Sequence, residues 1–341
     1  MVVKRRPGAA RFYAGALILS FAIAPGVCAA DDKTITMKIS LPTLGDVVHQ
    51  FAQNYAAAVE KDSGGRIKAE VYAASQLGSV SRQIEGVQFG AIEAVVIPPE
   101  FFVGLDERFE VLAAPGLVKS ITEGQRLAAD PAVRALMLGL GADKGLYGAG
   151  LFMGTPSSVI ARSPIRRLDD FKGKKIRIFA SQFQSVAMQR LGATPKPMSL
   201  GDVLPALQDN ALDGAIGSIA LFDSMHFQDA AKYVTETGQP ATFAIVEISK
   251  KWRESLPADV RQVVDRNAAA ESAAIDPQAV AIIAKARQAW VDNGGELISL
   301  PADQQSAMLQ ILASVGEDVS KTKPPLAEAY RIVADAARRT H

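Results

Sequence analysis

Cysteine, histidine and aromatic residues are all scarce in this 341-residue chain. It has one cysteine, three histidines and 6% aromatic residues. The cysteine is Cys28, inside an N-terminal leader, so the chain beyond the leader has no disulfide, thiol nucleophile or thiolate metal site. The histidines, His49, His226 and His341, are too far apart to form a local metal motif. Asp46 lies three residues before His49, and Asp223 and Asp229 bracket His226 at the same spacing. A lone carboxylate beside a histidine is an ordinary surface arrangement, so these pairs make no metal or catalytic assignment. HExxH, GxSxG and GxxxxGK[ST] are absent, and the carboxylates are scattered. The sequence therefore offers an enzyme no nucleophile, metal or cofactor loop, and no cofactor is expected. A formal net charge of +1 gives no sign of nucleic acid as a partner.

What is present begins with export. Lys4, Arg5, Arg6 and Arg11 precede the apolar run AGALILSFAIA (14–24), and then comes PGVCAADD with small residues at Cys28 and Ala30. A basic start, a short apolar middle and a small-x-small end make a secretory signal peptide over residues 1–30, cut before Asp31. The run falls short of the roughly 20 apolar residues that span a bilayer. Val27 is bulky for a lipoprotein site at Cys28, and the apolar residues expected after a twin-arginine pair are missing. Cleavage removes four of the 37 basic residues and none of the 36 acidic ones, turning the formal charge from +1 to −3. The expected location is the periplasm.

From residue 31 strand and helix patterns alternate. TITMKIS (34–40) and IKAEVYA (67–73) alternate at period two, and AVVI (94–97) reads as a buried strand. Between them, 46–63 and 80–90 carry helical apolar spacing and stop at glycines. SSVIA (157–161) and KIRIF (175–179) read as strands, 182–191 as a helix, and TPKPM as a short extended piece. Ser199 is placed to cap a helix that Pro205 should shorten, and LDGAIGS (212–218) reads as a strand interrupted by glycines. TFAIVEIS (242–249) returns to the first style, and everything after Pro257 reads as helical. The Gly-rich GLGADKG (139–145) and GAGLFMG (148–154) read as loops and close packing. The expected fold is α/β with two lobes of the periplasmic-binding-protein kind (type II-like), each a mainly parallel sheet with flanking helices, hinged around a ligand cleft. Lobe I is expected over 31–154 plus about 243–276, and lobe II with the C-terminal helices over 155–242 plus about 277–341.

In DDFKGKKIRIF (169–179), Ile176 and Ile178 point away from Arg177, leaving the guanidinium alone on the other face. An arginine fork suits a carboxylate held by two parallel hydrogen bonds. The block 169–218 resembles the extracytoplasmic solute receptors of TRAP (tripartite ATP-independent periplasmic) transporters. It carries their D-x-K-G-x-K-x-R strand (170–177), L-G-A-x-P-x-P-M segment (191–198) and A-L-Q-x-x-x-x-D-G segment (206–214). SQLGSVSRQIEGVQFGAIEAV (75–95) matches upstream, and the likeness runs over essentially the whole chain after the leader.

The resemblance implies a receptor, and no enzyme, that closes on an organic acid and delivers it to membrane permease subunits; a monomer is expected. It places the carboxylate-pairing arginine at Arg177. Many relatives carry a Glu-Asn pair where this chain has Ile216-Gly217, a second arginine where it has Pro156-Ser157, and an aromatic where it has Ser199-Leu200. Two polar contacts are thus missing while the clamp remains. That implies a ligand with one carboxylate and an apolar or aromatic body, bound by Arg177, Phe179, Ser157, Leu200, Gly217 and Phe243. Phe183 and Phe222 are further candidates for a ring, and all four Phe residues are equally what a core would contain. The within-family alternative is a C4-dicarboxylate or sugar-acid receptor using Ser157 or Ser218; an exported enzyme acting on organic acids is the alternative of another class.

Overall fold

The computed structural model describes residues 34–340 together with 1–4 and 8; the apolar run of the expected signal peptide, Cys28 and His341 lie outside the described residues. Among the described residues eleven strands form two sheets. The first uses β1 (Ile35–Ser40), β2 (Ile67–Tyr72), β3 (Ala94–Ile97), β4 (Leu146–Pro156) and, from later in the chain, β10 (Ala241–Ser249), in the order β2-β1-β3-β10-β4. The second uses β5 (Ser158–Ala161), β6 (Lys175–Ile178), β7 (Thr194–Pro197), β8 (Gly214–Gly217), β9 (Tyr233–Glu236) and β11 (Glu296–Ser299), in the order β11-β9-β5-β8-β6-β7.

The opening β-α-β-α-β run forms as its periodicity implies. Helix Val47–Asp62 buries Val47, Val48, Phe51, Tyr55 and Val59 on one side, the i, i+4 spacing of a single face. Helix Val80–Phe89 ends on Gly90, whose left-handed φ of 80° suits a residue without Cβ. Pairing of β1 with β2 and β3 is parallel, as crossover helices require.

Both sheets are mixed, however. β10 runs antiparallel to β3 and β4, and β5 antiparallel to β8 and β9. The cause is the chain's double crossing. β4 hands directly to β5 through Ser157, and β9 returns to β10 through 237–240. The crossings are tied together, because Ser157 O accepts from Gly238 N (2.9 Å) and from Thr237 Oγ1 (3.2 Å).

Three other expectations are corrected. The glycines of 148–154 lie inside β4, an eleven-residue strand. A Cβ on Gly148 would stand 2.6 Å from Leu138 Cα, and one on Gly150 2.5 Å from Ser272 Oγ, so helices press onto this strand where no side chain fits. The segment after Pro257 is not wholly helical, since β11 pairs in parallel with β9 at the sheet edge. Ser199 makes no capping bond; the chain enters a 3-10 turn, Leu200–Asp202, before the short helix Val203–Gln208. Among the described residues no helix is long and apolar enough to cross a membrane.

Candidate functional site

Arg177 sits on β6 between β7 and β8, opposite Lys196 and Ala215. It is 1% exposed, so both faces of this strand are buried, not only the face of Ile176 and Ile178. Its Nε donates to Met198 O at 2.9 Å and its Nη1 to Ile216 O at 3.4 Å. The guanidinium carbon lies 4.7 Å from the centroid of the Phe179 ring. Among the described residues no carboxylate pairs with it. Burial pulls its pKa down to about 9, still well above neutral, so the group is a cation at pH 7. Two of its five N–H groups go to carbonyls; the rest have no protein partner among the described residues. A buried charge is costly without a counter-charge. The arrangement suits an anion.

Beside it a cavity of about 50 Å³ opens between the sheets, several times the space one water needs. From the second sheet it is lined by Phe179, just past β6, and by Gly217, Ser218 and Leu221 where β8 turns into the helix Ile219–Ser224. From the first come Pro42, Thr43 and Asp46 after β1, Pro98 after β3, and Thr155 and Thr242 on β4 and β10. Most of these lie just past the carboxyl ends of strands, where open α/β sheets place their ligands. Val47, Val48, Leu221, Phe179 and the two prolines make the lining largely apolar; no lysine or arginine lines it.

Local structure fixes these groups. Phe179 N donates to Gln184 Oε1 at 2.9 Å, and its ring stacks on Phe101 at 5.5 Å. Ser218 caps the next helix, accepting from Leu221 N at 3.0 Å. Asp46 caps Val47–Asp62, its Oδ1 accepting from His49 N (3.0 Å) and Thr43 Oγ1 (2.9 Å). It is 7% exposed, and burial raises its pKa to about 6.

Of the residues singled out in the sequence, Phe179, Gly217 and Ser218 line the cavity, and Arg177 adjoins it through the Phe179 ring and through Ile216 O. Ser157 lies at the crossing with its Oγ 3.0 Å from Thr242 Oγ1, and faces a different cavity. Leu200 and Phe243 are packed in core clusters away from the lining. Phe183 and Phe222 also serve the core, stacking on Tyr330 and against Phe227. Thr43, Asp46, Thr155 and Thr242 were not singled out as ligand contacts; their place just after, or at the ends of, strands was the available signal. His49 and His226 make only local bonds, to Gly45 N and Gln228. No cluster of three or more metal-ligating side chains exists among the described residues.

Comparison with known proteins agrees with this architecture. The chain is similar to the C4-dicarboxylate-binding periplasmic protein DctP of Rhodobacter capsulatus, 27% identical over 310 residues, covering 90% of this chain and 92% of that one. Its fold is similar to a sugar acid binding protein from Advenella mimigardefordensis in complex with galactonate (TM-score 0.85, 20% identity, covering 91% and 99% of the two chains). A TRAP periplasmic solute binding protein from Desulfovibrio salexigens with bound orotic acid is similar too (TM-score 0.84, 20% identity, 90% and 100%). The family model described as bacterial extracellular solute-binding protein, family 7, matches residues 41–322. The chain belongs to that family and is an extracytoplasmic solute receptor of the TRAP type, a binding protein rather than an enzyme.

Proposed function

We propose that this receptor captures an aromatic or apolar monocarboxylate in the cavity between its sheets, pairing the carboxylate with Arg177, and hands it to a membrane permease. The observation that carries the reading is a buried cation with unused donors beside a mostly apolar cavity. The ligand's carboxylate supplies the missing counter-charge, and closure over it lowers the local dielectric and strengthens the pair. The apolar body lies against Phe179, Val47, Val48 and Leu221. The lobes that close divide as 31–154 plus about 243–276 and 155–242 plus about 277–341. The receptor works in the periplasm as a monomer after loss of residues 1–30.

Carboxylates in the names of related proteins support the class: galactonate, orotic acid and succinate among the structures, C4-dicarboxylates for the Rhodobacter capsulatus protein. That last name favours a second reading, a C4-dicarboxylate receptor. The absence of a lysine or arginine from the cavity lining argues for one carboxylate. Titration calorimetry with benzoate, cinnamate and succinate decides. Benzoate or cinnamate binding at least 10-fold tighter than succinate is expected; succinate binding tighter than either overturns the monocarboxylate reading.

A further inference from the structure

Asp46 stands on the wall that the first sheet gives to the cavity, while Arg177 adjoins the wall of the second. It is nine-tenths buried, and no lysine or arginine pairs with it among the described residues. Its Oδ1 is held by Thr43 Oγ1 and His49 N, so the carboxylate cannot swing out of the wall without giving up the cap. A cavity with a cation at one side and a fixed anion at the other is polarised. A ligand with one carboxylate satisfies the cation and offers the anion a neutral or hydrogen-bond-donating end. One with two carboxylates sets its second charge against another of the same sign in a low dielectric.

We propose that Asp46 is a selectivity residue that turns dicarboxylates away from the site by like-charge repulsion. This rests on the monocarboxylate reading of the same cavity. Discrimination by a repulsive element is a common route to specificity when the attractive contact, here the arginine, is shared by both ligand classes. The charged and titratable groups near Asp46 are few. His49 lies on its own helix, its Nδ1 accepting from Gly45 N. Asp223 from the helix Ile219–Ser224 and Lys285 from the helix Asp276–Asp292 face a neighbouring cavity of about 300 Å³ that Asp46 also lines. Since burial holds Asp46 near pH 6, acidification removes the repulsion.

The test is Asp46→Asn, which keeps an N-cap side chain and its acceptor oxygen while removing the charge; Asp46→Ser serves if the first variant melts more than a few degrees below the parent. Succinate and benzoate are titrated calorimetrically into parent and variant at pH 7.5 and pH 5.0. The variant is expected to bind succinate about 10-fold or more tighter than the parent at pH 7.5, and its succinate-to-benzoate affinity ratio is expected to rise by about 10-fold or more. The parent's succinate affinity is expected to approach the variant's at pH 5.0, the variant itself correcting for the ligand's own titration. A variant binding succinate no tighter than the parent at pH 7.5, or a parent-to-variant ratio that is flat with pH, overturns the inference. The benzoate-to-succinate ratio of the parent alone tests the monocarboxylate reading, so the two failures are read from different numbers.

Discussion

Arg177, on β6, and Phe179, just past its end, face each other across 4.7 Å, and the ring carries this contact to the cavity. β6 ends at Ile178, and Phe179 follows with its N–H held by Gln184 Oε1, which leaves its ring against the guanidinium. Phe101, after β3, stacks on the far partner of the pair at 5.5 Å. The charge is thus screened from water by a ring that an element of the other sheet holds in place. A ligand carboxylate reaching this guanidinium loses little to solvent.

Arg177→Ala is expected to weaken binding of the cognate acid by roughly 30- to 5000-fold, the cost of removing one side of a buried pair. Arg177→Lys should also lose at least about 10-fold, since a point charge cannot reproduce the fork or its bond to Met198 O. No carboxylate is orphaned by either change, so any fall in the melting temperature of the ligand-free protein comes from the vacated space and from Met198 O and Ile216 O losing a donor. Calorimetry with thermal melting checks both; unchanged affinity in Arg177→Ala removes the residue from the site.

How far this was legible in the sequence depends on whether a signal was local. The run β1–β3 was readable because alternation, helical spacing and stopping glycines all lie within a few residues of the structure they cause. β4 was not. Its Gly148 and Gly150 look like loop residues; pairing with Glu247 and Val246 of β10 makes them strand, and the close approach of Leu138 and Ser272 leaves no room there for a side chain. The mixed sheets likewise result from the crossings at Ser157 and 237–240, which no period reports. At the site, alternation found Arg177 but could not tell a cavity wall from a core. Phe179 and Phe243 look alike in sequence, yet one lines the cavity and the other is 1% exposed in a core cluster. Asp46 was visible only as a neighbour of His49, because its meaning comes from the wall opposite.

Gly45 should govern closure. Its φ of 69° lies in the left-handed region, and a Cβ there would come 2.8 Å from Cβ of Ser224, at the end of the helix that carries Leu221. Ser224 Oγ donates to Leu44 O, so the two walls touch here. Gly45→Ala adds about 1 kcal/mol of backbone strain and wedges this contact open. Ligand affinity is expected to fall about 10-fold or more with the arginine intact, and small-angle scattering with ligand should show a larger radius of gyration than the parent. Parent-like affinity and radius would show that this contact plays no part in closing.

Glu100 predicts the protein's response to pH. It is 1% exposed, its Oε2 has no hydrogen-bond partner, and burial, with the charge of Glu110 adding to it, raises its pKa to about 8. An unfolded glutamate titrates near 4.5. Between those values the native state holds a proton that the unfolded state has released, so stability falls as pH rises from about 4.5 to about 8 and is level on either side. Glu110, which accepts from Ser181 Oγ (3.1 Å), and Glu247, with neither oxygen partnered, are shifted upward by burial too and add slope of the same sign. Glu100→Gln removes one proton from this balance. Its stability relative to the parent should therefore improve with pH by up to about 1.4 kcal/mol per unit inside the window, whatever constant offset the new amide brings. Urea unfolding at pH 5, 6.5 and 8 measures the difference; parallel curves for the two proteins would mean that Glu100 ionises in the folded state as it does in the unfolded one.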